Sequence, residues 1–173
     1  MKEMIRYGFI LALICAVASG LLAGVNTLTK NRILAQAQAE EDASLKDVLP
    51  QAASFQAVRL GEETIYYKAQ DKDGNLVGVA FKASGKGYSS TIDTIVGMAK
   101  TGEITAIKVV SQNETPGLGT RVAEPEFGGQ FKNKKLEELS DVQAITGATI
   151  SSRAVIDAVA NKAREIKGML NGA

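Results

Sequence analysis

The sequence predicts an α+β fold, in which an N-terminal helix able to cross a membrane precedes a domain of antiparallel strands closed by a C-terminal helix. Three observations carry this expectation. Residues 7–29 contain no charged side chain. Several short runs of β-branched and aromatic residues follow, separated by polar, Gly-containing turns. Residues 152–170 then repeat apolar side chains at helical spacing. Strands first and a helix last is the order of an α+β domain rather than of alternating βα units.

As a helix, the uncharged run 7–29 extends roughly 34 Å, enough for the hydrocarbon core of a bilayer. A cleaved signal peptide is the alternative, with Lys2 and Arg6 as its basic end and Ala35-Gln36-Ala37 as a cleavage site. Signal peptides carry an apolar region of only about 7–15 residues, so the length favours a retained span. Gly8, Ala12, Ala16, Gly20 and Gly24 recur every fourth residue and form a stripe that another helix could approach closely, although small residues are common in membrane helices. Cys15 reads as an ordinary small apolar side chain. Lys2 and Arg6 on one side balance Lys30 and Arg32 on the other, so charge alone does not orient the span.

Residues 33–47 are rich in Ala, Gln, Glu and Leu and lack Gly and Pro, which predicts a helical stalk ending before Pro50. Strands are expected at 57–60, 64–69, 76–81, 91–98 and 104–110, the second and third joined by the turn Asp71-Lys72-Asp73-Gly74-Asn75 and the last two by Lys100-Thr101-Gly102. The closing helix places Val155, Val159 and Ile166 on one face. The expected organisation is an anchor at 1–30, a stalk at 31–50 and a globular domain at 51–173.

Composition narrows the chemistry. The 173 residues include 20 basic and 19 acidic side chains with a net charge of +1, which leaves no basic field for nucleic acid. The chain has no His, which removes Ser-His hydrolysis and the usual zinc and iron ligand sets. One Cys can neither hold an iron–sulfur cluster nor close a disulfide within the chain. Any redox function therefore needs an organic cofactor.

Two segments carry candidate chemistry. Glu114-Thr115-Pro116-Gly117-Leu118-Gly119 follows the last expected strand. Pro116 sets φ, Gly117 and Gly119 permit tight turns and close approach, and Leu118 offers an apolar platform between them. The same residues would also make an ordinary turn. Ala144-Ile145-Thr146-Gly147-Ala148-Thr149-Ile150-Ser151-Ser152 leads into the closing helix. Small and hydroxyl residues at a helix start expose N–H groups to a phosphate, and the dipole favours its charge. Ser151 or Ser152 would equally serve as a plain N-cap.

Together these motifs resemble the FMN-binding domain of the G subunit of the Rnf electron-transport complex and of the C subunit of the sodium-pumping NADH:quinone oxidoreductase. The likeness extends through Gly87-Tyr88-Ser89 and Phe127-Gly128-Gly129-Gln130-Phe131-Lys132, and covers most of the chain after about Ala43 together with the anchor. It implies a phosphoester between FMN and Thr149, the last Thr of a Ser/Thr-Gly-Ala-Thr motif. It implies further that Glu114, Thr115, Gly117, Leu118 and Gly119 line the flavin pocket, with Leu118 against the ring. Tyr88, Lys132, Thr146, Gly147, Ala148, Ser151 and Ser152 complete the implied set. The family often has an acidic residue six positions before the modified Thr, where this chain has Gln143.

The resemblance also implies a domain outside the cytoplasmic membrane, a flavin transferase for maturation, lipid around the anchor, and other membrane and peripheral subunits as partners. It implies an electron relay, and a chain with no His and no obvious substrate pocket is expected to have no standalone turnover. The short chain favours an Rnf-type ferredoxin:NAD complex over the quinone reductase. An anchored module holding a phosphate ligand non-covalently, or a structural subunit without flavin, are the readings of other classes.

Overall fold

The computed structural model describes residues 2–61 and 63–171, apart from the side chains of Lys2, Glu63 and Asn171. The chain divides into two units, Met1–Glu40 and Glu41–Ala173. The first helix, α1, runs over Lys2–Val48 and so contributes to both.

In the first unit, α1 contains a stretch of mean hydropathy 2.4, long and apolar enough to cross a membrane. Phe9, Leu13, Leu21 and Leu28 lie exposed on it. The Thr27 and Thr29 hydroxyls donate to the Ala23 and Val25 carbonyls one turn back, each at 2.8 Å. Those polar groups are thereby satisfied inside the helix, as an apolar solvent demands.

The second unit is built on five antiparallel strands in sequential order: β1 (Ser54–Leu60), β2 (Glu63–Gln70), β3 (Leu76–Lys86), β4 (Thr91–Ala99) and β5 (Ile104–Ser111). Every expected strand is present. The third continues past Phe81 to Lys86, because each residue of Lys82 to Lys86 finds a partner on β4, the last pair being Lys86 with Thr91. Ladder pairing outweighs the weak apolar pattern of Lys82-Ala83-Ser84-Gly85.

The two-residue period of the strands separates two cores. On one face Val79, Phe81 and Ala83 of β3 and Ile92, Val96 and Met98 of β4 pack against the closing helix α3 (Thr149–Asn171). That helix presents Val155, Ile156, Val159, Ala163 and Ile166, matching the expected apolar stripe. A Cβ on Gly85 would collide with the Ala154 carbonyl, so glycine there lets α3 lie close on β3. Three elements that the strand and helix patterns do not announce complete this core: a 3-10 turn at Gly119–Ala123, the short helix α2 (Pro125–Gly129), and a second 3-10 turn at Leu136–Asp141. Phe127 and Phe131 meet edge to face there, with centroids 5.5 Å apart.

On the other face, Leu45, Val48 and Leu49 cover Ala69, Ala80 and Ile95. Thr105 Oγ1 donates to the Val48 carbonyl at 2.6 Å, and Lys108 pairs with Asp47 at 2.6 Å. The Tyr67 hydroxyl donates to Glu41 at 2.7 Å. Burial, then that bond and the carboxylate's charge, push its pKa up to about 12.

Candidate functional site

The β3–β4 connection, residues 87–90, lies beside the segment that leaves β5. Asn113 N–H donates to Ser90 Oγ at 2.7 Å, and Glu114 N–H to Gln112 Oε1 at 2.7 Å. These contacts bring Glu114 under the turn. Its carboxylate then collects the N–H groups of three successive residues: Tyr88 at 3.2 Å on Oε2, and Ser89 and Ser90 at 3.0 and 2.9 Å on Oε1. Successive N–H groups converging on one anion form a nest. Ser90 Oγ adds a bond at 3.3 Å, and Ser151 Oγ, from the first turn of α3, donates to Oε2 at 2.6 Å.

Glu114 is only 5% exposed. Desolvation raises its pKa, but the Ser151 hydroxyl and the N–H groups of Ser90, Ser89 and Tyr88 more than offset this, so its carboxyl is held below the ordinary range. The group is a buried carboxylate, fully engaged by donors from two other segments.

From Glu114 the chain turns sharply. Gly117 has φ 74° and donates its N–H to Thr120 Oγ1 at 3.0 Å, while the Thr115 carbonyl accepts from Leu118 and Thr120. This conformation projects Leu118 outward, 48% exposed. Gly147 has φ 83° in the facing loop, and Leu118 Cδ2 lies 3.5 Å from where a Cβ on Gly147 would stand. The two motifs predicted to carry chemistry therefore meet.

They meet across a cleft of about 530 Å³ lined by Tyr88, Glu114, Thr115, Leu118, Gly119, Gly147, Ala148, Thr149, Ile150 and Ser151. Thr149 is the first residue of α3. The helix thus begins three residues before the expected Ser152, and both serines lie within its first turn rather than at its cap. Their hydroxyls are committed: Ser151 to Glu114, and Ser152 by accepting from Ile145 N–H at 3.0 Å and donating to the Ala148 carbonyl at 2.9 Å.

Thr149 is different. Its side chain is exposed and makes no hydrogen bond among the described residues. The first bond along the helix start is Ser152 N–H to the Ala148 carbonyl at 2.9 Å, so the N–H groups of Thr149, Ile150 and Ser151 have no acceptor among the described residues. An anion at this end gains three donors and the favourable end of the helix dipole. Tyr88 (71% exposed), Leu118 and Ile150 (56% exposed) give the same cleft an uncovered apolar lining. One end suits a phosphate and the walls suit a flat apolar ring.

Not every candidate residue reaches this cleft. Lys132 lines a separate hollow against β5 with Asp47, Ile107 and Gly129. Thr146 lines another, with Gln130 and Gln143. Gln130 binds the Gln143 backbone at both groups, accepting from its N–H at 2.9 Å and donating to its carbonyl at 3.4 Å, and so holds the start of the 143–149 loop. Ile150 is a cleft residue not singled out by sequence; an apolar side chain left exposed between two hydroxyl residues at a helix start is the signal that would have found it. Among the described residues no cluster of acidic or Cys side chains fit for a metal ion occurs.

Residues 87–164 match the family model of the FMN-binding domain, and residues 1–48 match that of the RnfG N-terminal region. The first of these spans every residue that lines the cleft. The chain is 37% identical to the G subunit of the ion-translocating oxidoreductase complex of Methanosarcina acetivorans, covering 91% of this chain and 92% of that one. It is 30% identical to the G subunit of the proton-translocating ferredoxin:NAD(+) oxidoreductase complex of Clostridium ljungdahlii (94% and 91% covered). It is 31% identical to the G subunit of the Na(+)-translocating ferredoxin:NAD(+) oxidoreductase complex of Acetobacterium woodii (91% and 89% covered). A solved structure, Shewanella oneidensis NqrC, aligns with a TM-score of 0.49 and 21% identity over 70% of this chain and 74% of that one. With the helix, the sheet and both cleft loops inside near full-length matches, the chain belongs to the G-subunit family of ion-translocating oxidoreductase complexes.

Proposed function

We propose that this chain is the electron-relay subunit of a membrane-bound Rnf-type ferredoxin:NAD oxidoreductase complex, and that it carries FMN as a phosphoester on Thr149. Membership of the G-subunit family and an FMN-binding domain make it an electron-transport subunit. The apolar α1 and the same membership make it a membrane protein. In this proposal the domain lies outside the cytoplasmic membrane, a flavin transferase attaches the FMN, and the other subunits of the complex and lipid are the chain's partners.

One observation carries it: the exposed Thr149 hydroxyl stands at a helix start whose three N–H groups lack an acceptor among the described residues, inside a cleft walled by Tyr88, Leu118 and Ile150. In the attachment, Thr149 Oγ gives up its proton and forms an ester bond to the phosphorus of an activated flavin nucleotide, from which a nucleoside monophosphate leaves. The N–H groups of residues 149–151 hold the phosphate charge, and Leu118 and Tyr88 pack on the ring. FMN when bound supplies one- and two-electron transfer; the chain supplies its position and surroundings. A tether keeps the cofactor in place where no free supply replaces it.

The test is the intact mass of the denatured chain, produced with a flavin transferase, beside its Thr149→Ala variant. A gain of one FMN less water, lost in the variant, supports the proposal. A flavin that copurifies but leaves on denaturation would establish a non-covalent module instead. The companion subunits in the intact complex separate a ferredoxin:NAD assembly from a quinone reductase.

A further inference from the structure

We propose that Glu114 is the positioning residue of this cleft: a built-in anion that holds its three walls in register, rather than a group that touches the flavin. The three walls come from distant parts of the chain. Tyr88 sits in the turn between β3 and β4, Leu118 follows β5, and Thr149 and Ile150 open α3. Glu114 carries the Leu118 loop on its own backbone, binds three N–H groups of the Tyr88 turn, and binds the Ser151 hydroxyl beside Thr149. One side chain thus ties the platform, the facing wall and the attachment turn together.

The backbone is built around that carboxylate. A Cβ on Gly87 would stand 2.6 Å from Glu114 Oε1, and one on Gly119 would stand 2.8 Å from Oε2 and 2.9 Å from Ser151 Oγ. Side chains are therefore excluded on both sides of the group. Its acceptors are taken up by donors of the protein, which leaves it poorly placed to bind a ring. A neutral amide cannot replace it, because its NH2 would confront N–H groups that need an acceptor.

This inference rests on the flavin reading for its role, and the experiment separates the two. The full chain, produced with a flavin transferase, is compared with Glu114→Gln and Ser151→Ala. Denatured mass reports the tether; hydrogen exchange, iodide quenching of flavin fluorescence and visible circular dichroism report the cleft. In Glu114→Gln the tether should remain. Exchange at residues 88–90 and at the first hydrogen-bonded amides of α3, residues 152–154, should rise about tenfold or more while strands β2–β4 stay protected, and the flavin should become more open to iodide with a changed dichroic band.

Ser151→Ala removes one donor and keeps the charge. Exchange should rise at residues 152–154 alone, with residues 88–90 still protected, and this variant decides the matter if Glu114→Gln does not fold. Unchanged exchange and flavin signals in either variant overturn the proposal, as does a rise spread evenly over the sheet, which marks general stability and not positioning. A wild-type chain without FMN mass sinks the flavin reading instead, and the exchange arm still decides whether Glu114 holds the cleft.

Discussion

Replacing Gly119 by Ala probes how tightly the cleft is assembled. The new Cβ would lie 2.7 Å from Glu114 Cβ, 2.8 Å from Glu114 Oε2 and 2.9 Å from Ser151 Oγ. All three distances are inside van der Waals contact, and neither neighbour yields cheaply because each is fixed by hydrogen bonds to the other. Overpacking typically costs about 1–3 kcal/mol, and rigid neighbours place this case in the upper half.

Two nearby glycines calibrate the result. Gly117 has open space around it but φ 74°, so Gly117→Ala carries only the left-handed backbone cost of about 1–2 kcal/mol. Gly129 has open space and no positive φ, so Gly129→Ala should be neutral or stabilise α2 by up to about 1 kcal/mol. Urea unfolding of the full chain in detergent, followed by tyrosine fluorescence since the chain has no Trp, gives the three midpoints at comparable slope. The expected order of loss is Gly119, then Gly117, then Gly129. A Gly119→Ala chain within about 0.5 kcal/mol of wild type, the ordinary scatter of harmless substitutions, refutes the close packing of Glu114 and Ser151.

Thr94 is 1% exposed and its hydroxyl has no partner among the described residues. Thr94→Val should therefore raise stability by about 1 kcal/mol in the same urea assay, since an unsatisfied buried hydroxyl costs about that or more. Acid should weaken the fold with a definite sign. Glu114 and Asp93 both have carboxyls held below their ordinary values, Asp93 because Lys82 and Ser84 outweigh its desolvation. Their contribution is complete above the unfolded carboxylate range of about 4 and is lost as pH falls through the lower folded values, so urea midpoints should hold from pH 7 to 5 and drop below about 4. Leu118→Ala removes a half-exposed side chain, so stability should stay within about 0.5 kcal/mol, while iodide quenching of the tethered flavin increases; unchanged quenching would remove Leu118 from the ring's surroundings.

The strands are legible because each carries enough β-branched and aromatic residues between Gly or Asp/Asn turns to declare itself locally, and the stripe of Val155, Val159 and Ile166 declares α3 in the same way. The far end of β3 is not, because Ser84, Gly85 and Lys86 are strand only by virtue of β4 beside them. The start of α3 escapes local reading for a related reason. Thr149 and Ile150 are indifferent helix formers, and the turn is held by the Ser152 hydroxyl, which takes the Ile145 N–H across the loop and which no local rule anticipates.

At the site, the two loops stand out as chemically loaded, but their meeting does not. Glu114 shows the limit best. The resemblance places it in the flavin pocket, but nothing local to it tells that topology sets its carboxylate against N–H groups some 24 to 26 positions earlier. Thr146 belongs to the second motif and Lys132 lies between the two, yet both line other hollows.

The covering of the sheet's outer face by Leu45, Val48 and Leu49 bears on how this chain can be handled in the laboratory. A recombinant piece beginning at residue 51, where the stalk gives way to the strands, would leave Ala69, Ala80 and Ile95 bare and the Thr105 hydroxyl without the Val48 carbonyl. Such a fragment would offer a flat, sticky sheet to its own copies and tend to self-associate. A fragment opened at Glu41 keeps its own cover and the Tyr67 contact, and is the better starting point for crystals or spectroscopy without detergent.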